Sequence, residues 1–253
     1  MGRFENKVVI VTGGNSGIGK ETAIQFAQEG AKVVVAARRE GEGNAVVEEI
    51  KSAGGEAIFT SVDVANAENV QQMVNQTVET FGGLDFAFNN AGMIGSLRAP
   101  IEDYDLDAWE RVMAVNVTGV FLCMKYQIPE MLKRGGGSIV NMASISGFKG
   151  SSGGAAVYPT SKHAVIGMSK SAALENAKRN IRVNTVCPAV IDTPLVQENL
   201  FKDEEMKQQV INFHPIGRIG EPREVAGAVL WLCSDEASFV TGHQMVMDGG
   251  LMA

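Results

Sequence analysis

Tyr158 and Lys162 stand four residues apart at the start of an expected helix, a spacing that stacks the two side chains on one face. The pairing suits proton transfer. A free phenol has a pKa of about 10 and keeps its proton at neutral pH, whereas a cation held beside it favours the phenolate and draws that value down. Pro159 fits the first helical turn, where its missing N–H breaks no intrahelical bond. Taken alone, the spacing equally describes an exposed helical pair, so its meaning depends on the surroundings.

A second candidate is the run Thr12-Gly13-Gly14-Asn15-Ser16-Gly17-Ile18-Gly19, between an apolar stretch and a helical one. Glycines at such a tight turn let backbone N–H groups and a positive helix end approach a pyrophosphate. The spacing departs from G-x-G-x-x-G, but the strand–turn–helix setting points to dinucleotide binding. Ser16 can give its hydroxyl to a phosphate or cap the helix. Cys123, Cys187 and Cys233, with His163, His214 and His243, show no metal-ligand spacing. They read as packed thiols and incidental imidazoles, and no metal is expected.

The elements that must position these residues alternate along the chain. Short β-branched runs at residues 7–12, 31–37, 57–62, 84–89, 138–142, 181–186 and 243–247 read as strands buried on both faces. Helical stretches at 20–29, 42–52, 67–81, 106–132, 161–178 and 222–233 lie between them. This alternation implies right-handed crossovers and an α/β, Rossmann-like, doubly wound fold: a seven-stranded parallel sheet with helices on both faces. Ligands of such sheets bind beyond the strand carboxyl ends, and both candidate motifs follow strands. At 253 residues, with no Pro/Ser-rich linker, repeat or charge block, residues 1–253 read as one domain, which the glycine turn makes dinucleotide-binding. The net charge of −7 and pI near 5.1 argue against nucleic-acid binding and favour a small-molecule partner. No apolar run approaches the ~20 residues of a membrane span, and the first residues lead into a strand without a signal peptide, so a cytoplasmic protein without membrane attachment is expected.

Thr12 to Gly19, Asn89-Asn90-Ala91-Gly92, Asn116, Ser144 and Tyr158-x-x-x-Lys162, in this order, resemble the short-chain dehydrogenase/reductase family, and Asp248-Gly249-Gly250 extends the resemblance to nearly the whole chain. The resemblance implies a hydride transfer between a nicotinamide cofactor and a ketone or secondary alcohol. Tyr158 is then the acid/base, Lys162 lowers its pKa and holds the nicotinamide ribose, and Ser144 hydrogen-bonds the reacting oxygen. Ser146 competes with Ser144, because the stretch from Ser144 to Tyr158 is one residue longer than the family's usual. Asn116 is read as holding a water that links Lys162 to solvent, or as a helix-kinking polar residue near Gly119. Gly13, Asn15, Ser16, Gly17, Ile18, Gly19, Asp63, Val64, Asn90, Ala91, Gly92, Ile191 and Thr193 join Tyr158 and Lys162 in holding the cofactor; Asn89-Asn90 could also be a plain turn pair. Cys187-Pro188-Ala189 departs from the family's Pro-Gly.

Enzymes that prefer NAD carry a carboxylate at the end of the second strand. Here Ala37 stands at that position and Arg38 follows, so NADP is expected, with NAD possible if Arg38 and Arg39 are only solvated cations. Residues 93–97, 145–152 and 190–213 are the expected substrate walls, contributing Met93, Ile94, Leu97, Phe148, Val190, Leu195, Val196, Leu200, Phe201 and Phe213, unless these pack a lid helix. The mostly apolar set suits a neutral ketone or alcohol, with Arg98 and Lys149 available to an anion. Reduction of 3-oxoacyl groups on acyl carrier protein, met by Lys133-Arg134 and Lys178-Arg179, is the alternative. A non-enzymatic cofactor-binding protein is a third reading, and a homotetramer is the assembly implied.

Overall fold

All five residues of β1 (Val8–Thr12) and five of the six of β2 (Lys32–Ala37) are buried, as runs of Val, Ile and Ala with no polar face require. In this computed structural model, which describes residues 2–95, 99–151, 156–201 and 203–253 and only the backbone of Asn199 and Leu200, these strands are joined by β3 (Glu56–Ser61), β4 (Phe86–Asn89), β5 (Gly137–Met142), β6 (Ile181–Pro188) and β7 (Gln244–Met247). The seven form one sheet in the order β3-β2-β1-β4-β5-β6-β7, every pair parallel. The helices are α1 (Gly17–Gln28), α2 (Glu40–Ser52), α3 (Ala67–Phe81), α4 (Leu106–Met113), α5 (Gly119–Lys133), α6 (Val157–Asn176), α7 (Pro194–Leu200), α8 (Glu204–Asn212) and α9 (Pro222–Cys233).

Two apolar layers sandwich the sheet. Phe26 of α1, Val46 and Ile50 of α2 and Val225 and Leu230 of α9 pack on one face. Val70 and Met73 of α3, Leu122 and Met131 of α5 and Val165 and Ile166 of α6 pack on the other. Register then levels the strand ends: Thr12 pairs with Ala36 and Asn89, Asn89 with Asn141, and Asn141 with Thr185. The turns after β1 to β6 therefore open at one edge, and the order reverses between β1 and β4, where open α/β sheets bind ligands.

The single helix expected over 106–132 is instead three pieces. Between α4 and α5, residues Ala114–Thr118 form a π turn, in which the Gly119 N–H donates to Ala114 O. Such a turn absorbs one extra residue without ending the helix, and here it carries Asn116. Gly119 also meets the chain after β3 closely: an added Cβ would lie 2.8 Å from Val64 Cγ2.

A polar network runs through the α5/α6 layer. Asn89 Nδ2 donates to Gln127 Oε1 (3.1 Å) and Asn141 Oδ1 (2.9 Å), and Gln127 Nε2 returns a bond to Asn89 Oδ1 (2.9 Å). Asn141 Nδ2 donates to Ser169 Oγ at 2.9 Å, and Ser169 Oγ donates to Val165 O at 2.6 Å. All four side chains are buried. An orphaned member would cost about 1–3 kcal/mol, so the network selects one relative position of β4, β5, α5 and α6, the elements that carry the site. Asn89 is thus more than one half of a turn pair.

Candidate functional site

β1 ends in a turn packed too closely for side chains at Gly13, Gly14 and Gly19. A Cβ on Gly19 would collide with Gly13 O, and Gly13 and Gly17 hold φ of 64° and 53°, a region glycine occupies without strain. Ser16 stands at the start of α1 without a side-chain cap hydrogen bond, so its hydroxyl is not the cap and the first amides of α1 lie open as anion donors. The neighbouring turn is locked to this one: Thr12 Oγ1 accepts from Asn90 N (3.0 Å) and Ala91 N (3.1 Å), and Asn90 Nδ2 donates to Thr12 O (3.0 Å).

These turns border a groove of about 450 Å³, within the range of small-molecule sites. Gly13, Asn15, Ser16, Gly17, Ile18, Arg38, Asp63, Val64, Asn90, Ala91, Gly92 and Thr193 all line it, so the structure gathers twelve expected cofactor residues from five loops. Gly19 lies beneath the turn rather than on the wall. Ile191 is buried and bridges to Gly220. Tyr158 and Lys162 stand beyond the groove's end, where an added Cβ on groove-lining Gly92 would lie 3.8 Å from Lys162 Nζ. Arg39, which the sequence offered only as a solvated cation beside Arg38, also lines the groove. With the Asn15 amide oxygen turned toward it, Arg39 donates from Nη2 (2.9 Å) and Nε (3.1 Å), and it pairs with Glu42 at 3.2 Å. A second cation thus reaches the glycine turn from the end of β2, a contact no local motif signals. Arg38 is exposed and its side chain has no ion pair or hydrogen bond among the described residues.

The residues present fit a nicotinamide dinucleotide: a glycine turn with open helix amides for the pyrophosphate, the Asp63-Val64 turn, and residues 90–92 leading to Tyr158. The catalytic candidates come from β5 and α6. Ser144 ends β5 and caps a 3₁₀ turn, Ile145–Gly147, accepting from Ser146 N at 3.2 Å. Gly147 lets this turn lie directly on α6, since an added Cβ would come 2.5 Å from Ile166 Cδ1 and 3.0 Å from Lys162 O. Packed so, the Ser144 hydroxyl, which donates to Pro188 O at 3.4 Å, stands close enough to the Tyr158 phenol to favour its phenolate. That contact distinguishes Ser144 from Ser146.

Lys162 is 4% exposed. Its Nζ donates to Met142 O at 2.9 Å and lies 5.5 Å from the Tyr158 ring centre. Burial lowers the Lys162 pKa to about 8. Burial likewise raises Tyr158, only partly offset by the Ser144 hydroxyl. The expected lowering of Tyr158 is therefore not the balance in the free site: desolvation of the phenolate dominates, and Ser144 is what acts against it. Asn116 is buried, with Oδ1 accepting from Met93 N and Nδ2 donating to Met93 O, each at 2.9 Å, and to Ser161 Oγ at 3.0 Å. Its amide is thereby committed to protein groups. A water held at this residue would donate to the second lone pair of Oδ1 or use the backbone of the π turn.

The expected substrate walls scatter. Met93 and Leu195 line the groove, Phe148 and Phe213 are exposed, and Val190 lines a separate cavity. Leu97, Arg98, Ser152 and the Leu200 side chain lie outside the described residues. The thiols are packed: Cys123 and Cys233 are pushed up to about 12 by burial, and Cys187 is fully buried beside Thr185 Oγ1 (3.6 Å). No metal-binding cluster of His, Cys, Asp and Glu occurs among the described residues.

Comparison with known proteins agrees with this geometry. A family model described as enoyl-(acyl carrier protein) reductase matches residues 13–252. A cyclohexanol dehydrogenase of Acinetobacter sp. (strain SE19) is 45% identical, over 98% of this chain and 95% of the relative. A 2,5-dichloro-2,5-cyclohexadiene-1,4-diol dehydrogenase of Sphingobium indicum is 44% identical over 100% of both chains. A secoisolariciresinol dehydrogenase of Forsythia intermedia is 42% identical, over 98% of this chain and 90% of its own. Among solved structures, a short-chain type dehydrogenase/reductase from Mycobacterium marinum superposes with a TM-score of 0.93 at 36% identity, covering 99% of this chain and 97% of that one.

The lowered Lys162 pKa has a consequence for stability. Below about pH 8 the folded protein bears the whole cost of burying the ammonium; between about 8 and 10.5 the folded state has lost a proton that the unfolded chain keeps, so this group adds stability as pH rises. A Lys162→Met variant lacks that term. The unfolding free energy of the wild type should therefore gain on that of Lys162→Met by up to about 3 kcal/mol between about pH 7 and pH 10. Denaturant titrations at the two pH values read the difference, and a constant gap would refute a lowered pKa.

Proposed function

The chain belongs to the short-chain dehydrogenase/reductase family, and from that premise we propose that Tyr158, Ser144 and Lys162 are its catalytic centre, at the end of a groove that holds NADP. The protein is an oxidoreductase acting on secondary alcohols and the corresponding ketones. Its nicotinamide cofactor, when bound, supplies or accepts the hydride. The observation that carries the assignment is the buried Lys162 Nζ, held by Met142 O at 2.9 Å and lying 5.5 Å from the Tyr158 ring centre.

Tyr158 gives its proton to a carbonyl oxygen in reduction and takes it from the alcohol in oxidation. Ser144 donates to the same oxygen and stabilises the charge that develops there. Lys162, fixed by Met142 O, keeps a positive charge next to the phenol and favours the phenolate whenever Tyr158 has given up its proton. Asn116 holds residue 93, so the wall beside the reacting carbon keeps its place.

The substrate in this reading is a neutral cyclic secondary alcohol or its ketone. It rests on the relatives named for cyclohexanol and a cyclohexadiene diol and on Met93 and Leu195 at the groove. The carrier-protein alternative has less support: Lys133 pairs with Glu130, Arg134 with Asp85, and Arg179 bonds Asn176, so three of its four cations are engaged. A homotetramer belongs to the proposal as well, supported by exposed Phe121 on α5, Leu174 on α6 and Val246 on the edge strand β7; light scattering reads it. Three buried, unpaired cysteines suit a reducing, cytoplasmic setting, and no helix among the described residues is long and apolar enough to cross a membrane.

Two experiments test the proposal. Across a panel of ketones and secondary alcohols, Tyr158→Phe should lower kcat by about 100-fold or more, while cofactor affinity stays within a few-fold because the phenol lies outside the groove; near-normal turnover would remove Tyr158 from the chemistry. For the cofactor, Ala37 leaves the end of β2 without a carboxylate, and Arg38 and Arg39 both line the groove. kcat/KM should favour NADP in the wild type and move toward NAD in Ala37→Asp/Arg38→Ala. A wild type that favours NAD would contradict this assignment.

A further inference from the structure

The tip of the glycine turn is held from outside the turn. Its base is fixed by Asn90, whose Nδ2 donates to Thr12 O (3.0 Å) and Gly13 O (3.3 Å). Asn15 and Ser16, at the tip, lie between Gly14 and Gly17, and glycines restrain their neighbours least. Ser16 makes no side-chain cap hydrogen bond to α1. Among the described residues, the one side chain that hydrogen-bonds either tip residue belongs to Arg39.

Arg39 reaches the tip from a firm base. It stands directly before α2, which is anchored in the core by Val46 and Ile50 and pressed on β3 at Gly43, where an added Cβ would collide with the Phe59 ring. With the Asn15 amide turned as above, Nη2 and Nε both donate to Asn15 Oδ1, at 2.9 and 3.1 Å. Nη2 also lies 3.4 Å from Ser16 Oγ, and Nη1 pairs with Glu42 at 3.2 Å. Two N–H groups on one oxygen and a carboxylate at the far side fix the plane of the guanidinium. A planar fork can do this, and an ammonium cannot. Lys20 Nζ, 2.8 Å from Glu49 Oε2, adds a second tie between α1 and α2.

The neighbouring cation is arranged otherwise. Arg38 lines the same groove, but its side chain has no ion pair or hydrogen bond among the described residues. Of two adjacent guanidinium groups, one is committed to protein and one is open. Fold stability does not account for the commitment, because the Arg39 and Glu42 side chains are 59% and 50% exposed, and ion pairs so placed contribute little to folding. What the contact does determine is where Asn15 and Ser16 lie along the groove wall.

We propose that Arg39 is a positioning residue for the cofactor: acting through Asn15, it holds the tip of the glycine turn in the shape that presents Ser16 and the first amides of α1 to the pyrophosphate, and it does not itself grip the ligand. The inference rests on the groove as the dinucleotide site and is indifferent to which dinucleotide binds. The pyrophosphate is common to NAD and NADP, so losing the clamp costs both the same factor. A cation on the 2′-phosphate would serve NADP alone.

Binding of NADPH and of NADH to the full chain, read from the fluorescence of the reduced nicotinamide, tests the clamp. Salt of about 0.15 M screens charges more than about 8 Å apart. Arg39→Lys keeps the charge and loses the fork. It should weaken both cofactors equally, by about fivefold, the worth of one hydrogen bond, with the unfolding midpoint unchanged. Asn15→Ala should weaken both at least as much, and adding Arg39→Lys to it should have no further effect, because the clamp then has nothing to hold. The inference is overturned if Arg39→Lys binds both cofactors as the wild type does, which would make Arg39 a solvated cation. It is equally overturned if NADPH alone is weakened, which would put Arg39 on the 2′-phosphate, if the two substitutions multiply, or if the midpoint falls together with affinity. A wild type that binds neither cofactor would overturn the groove assignment and this inference with it, a result that none of the other outcomes shares.

Discussion

Burying an ammonium is among the costlier things a protein interior does, and the end of this molecule proposed as its catalytic centre is organised around one. Lys162 reaches from α6 to a single carbonyl at the end of β5, Met142 O. For that bond to form, α6 must lie against the last residues of β5, and Gly147 permits the approach by having no Cβ where Ile166 and the Lys162 backbone come close. The same approach brings the Ser144 hydroxyl to Tyr158. One packing constraint thus fixes the lysine, the serine and the tyrosine together, and the polar network from Asn89 through Gln127 and Asn141 to Ser169 holds the strands and helices that impose it.

The cofactor side depends on a parallel constraint at the switch between β1 and β4. Thr12 Oγ1 accepts the amides of Asn90 and Ala91, so the glycine turn and the 90–92 turn move as one body. A dinucleotide spanning the groove would contact both. The two bodies meet at Gly92, beside Asn116 Oδ1 (3.3 Å from an added Cβ) and Lys162 Nζ. Catalytic geometry is therefore inherited from backbone packing at a few glycines more than from any pairwise charge interaction.

Much of this was legible in the sequence because it rests on local patterns. β-branched runs mark buried parallel strands, a glycine turn before a helix marks an anion site, and the order of motifs carries the family. What stayed hidden depends on contacts between distant segments or on energetic balance. The π turn at Ala114–Thr118 is a shift of hydrogen-bond register that apolar periodicity does not encode, so residues 106–132 read as one helix. Gln127 lies 38 residues from Asn89, and no motif links them. Arg39 looked like a solvated cation until folding placed it on Asn15. The direction of the Tyr158 pKa was misjudged because spacing reveals the neighbouring charge but not the depth of burial.

That last point defines the resting state of the site. With desolvation dominant, Tyr158 in the free protein is a phenol; in the proposed role it is ready to give a proton to a carbonyl oxygen, and to accept one from an alcohol it must first be converted to the phenolate, against the cost of burial. The measurement that bears on this most directly is a titration of tyrosinate absorbance in the wild type with that of Tyr158→Phe subtracted. The account predicts no tyrosinate from Tyr158 below about pH 10, the value of a free phenol. A tyrosinate step near pH 7 would show that the Lys162 charge prevails over burial and would contradict the account.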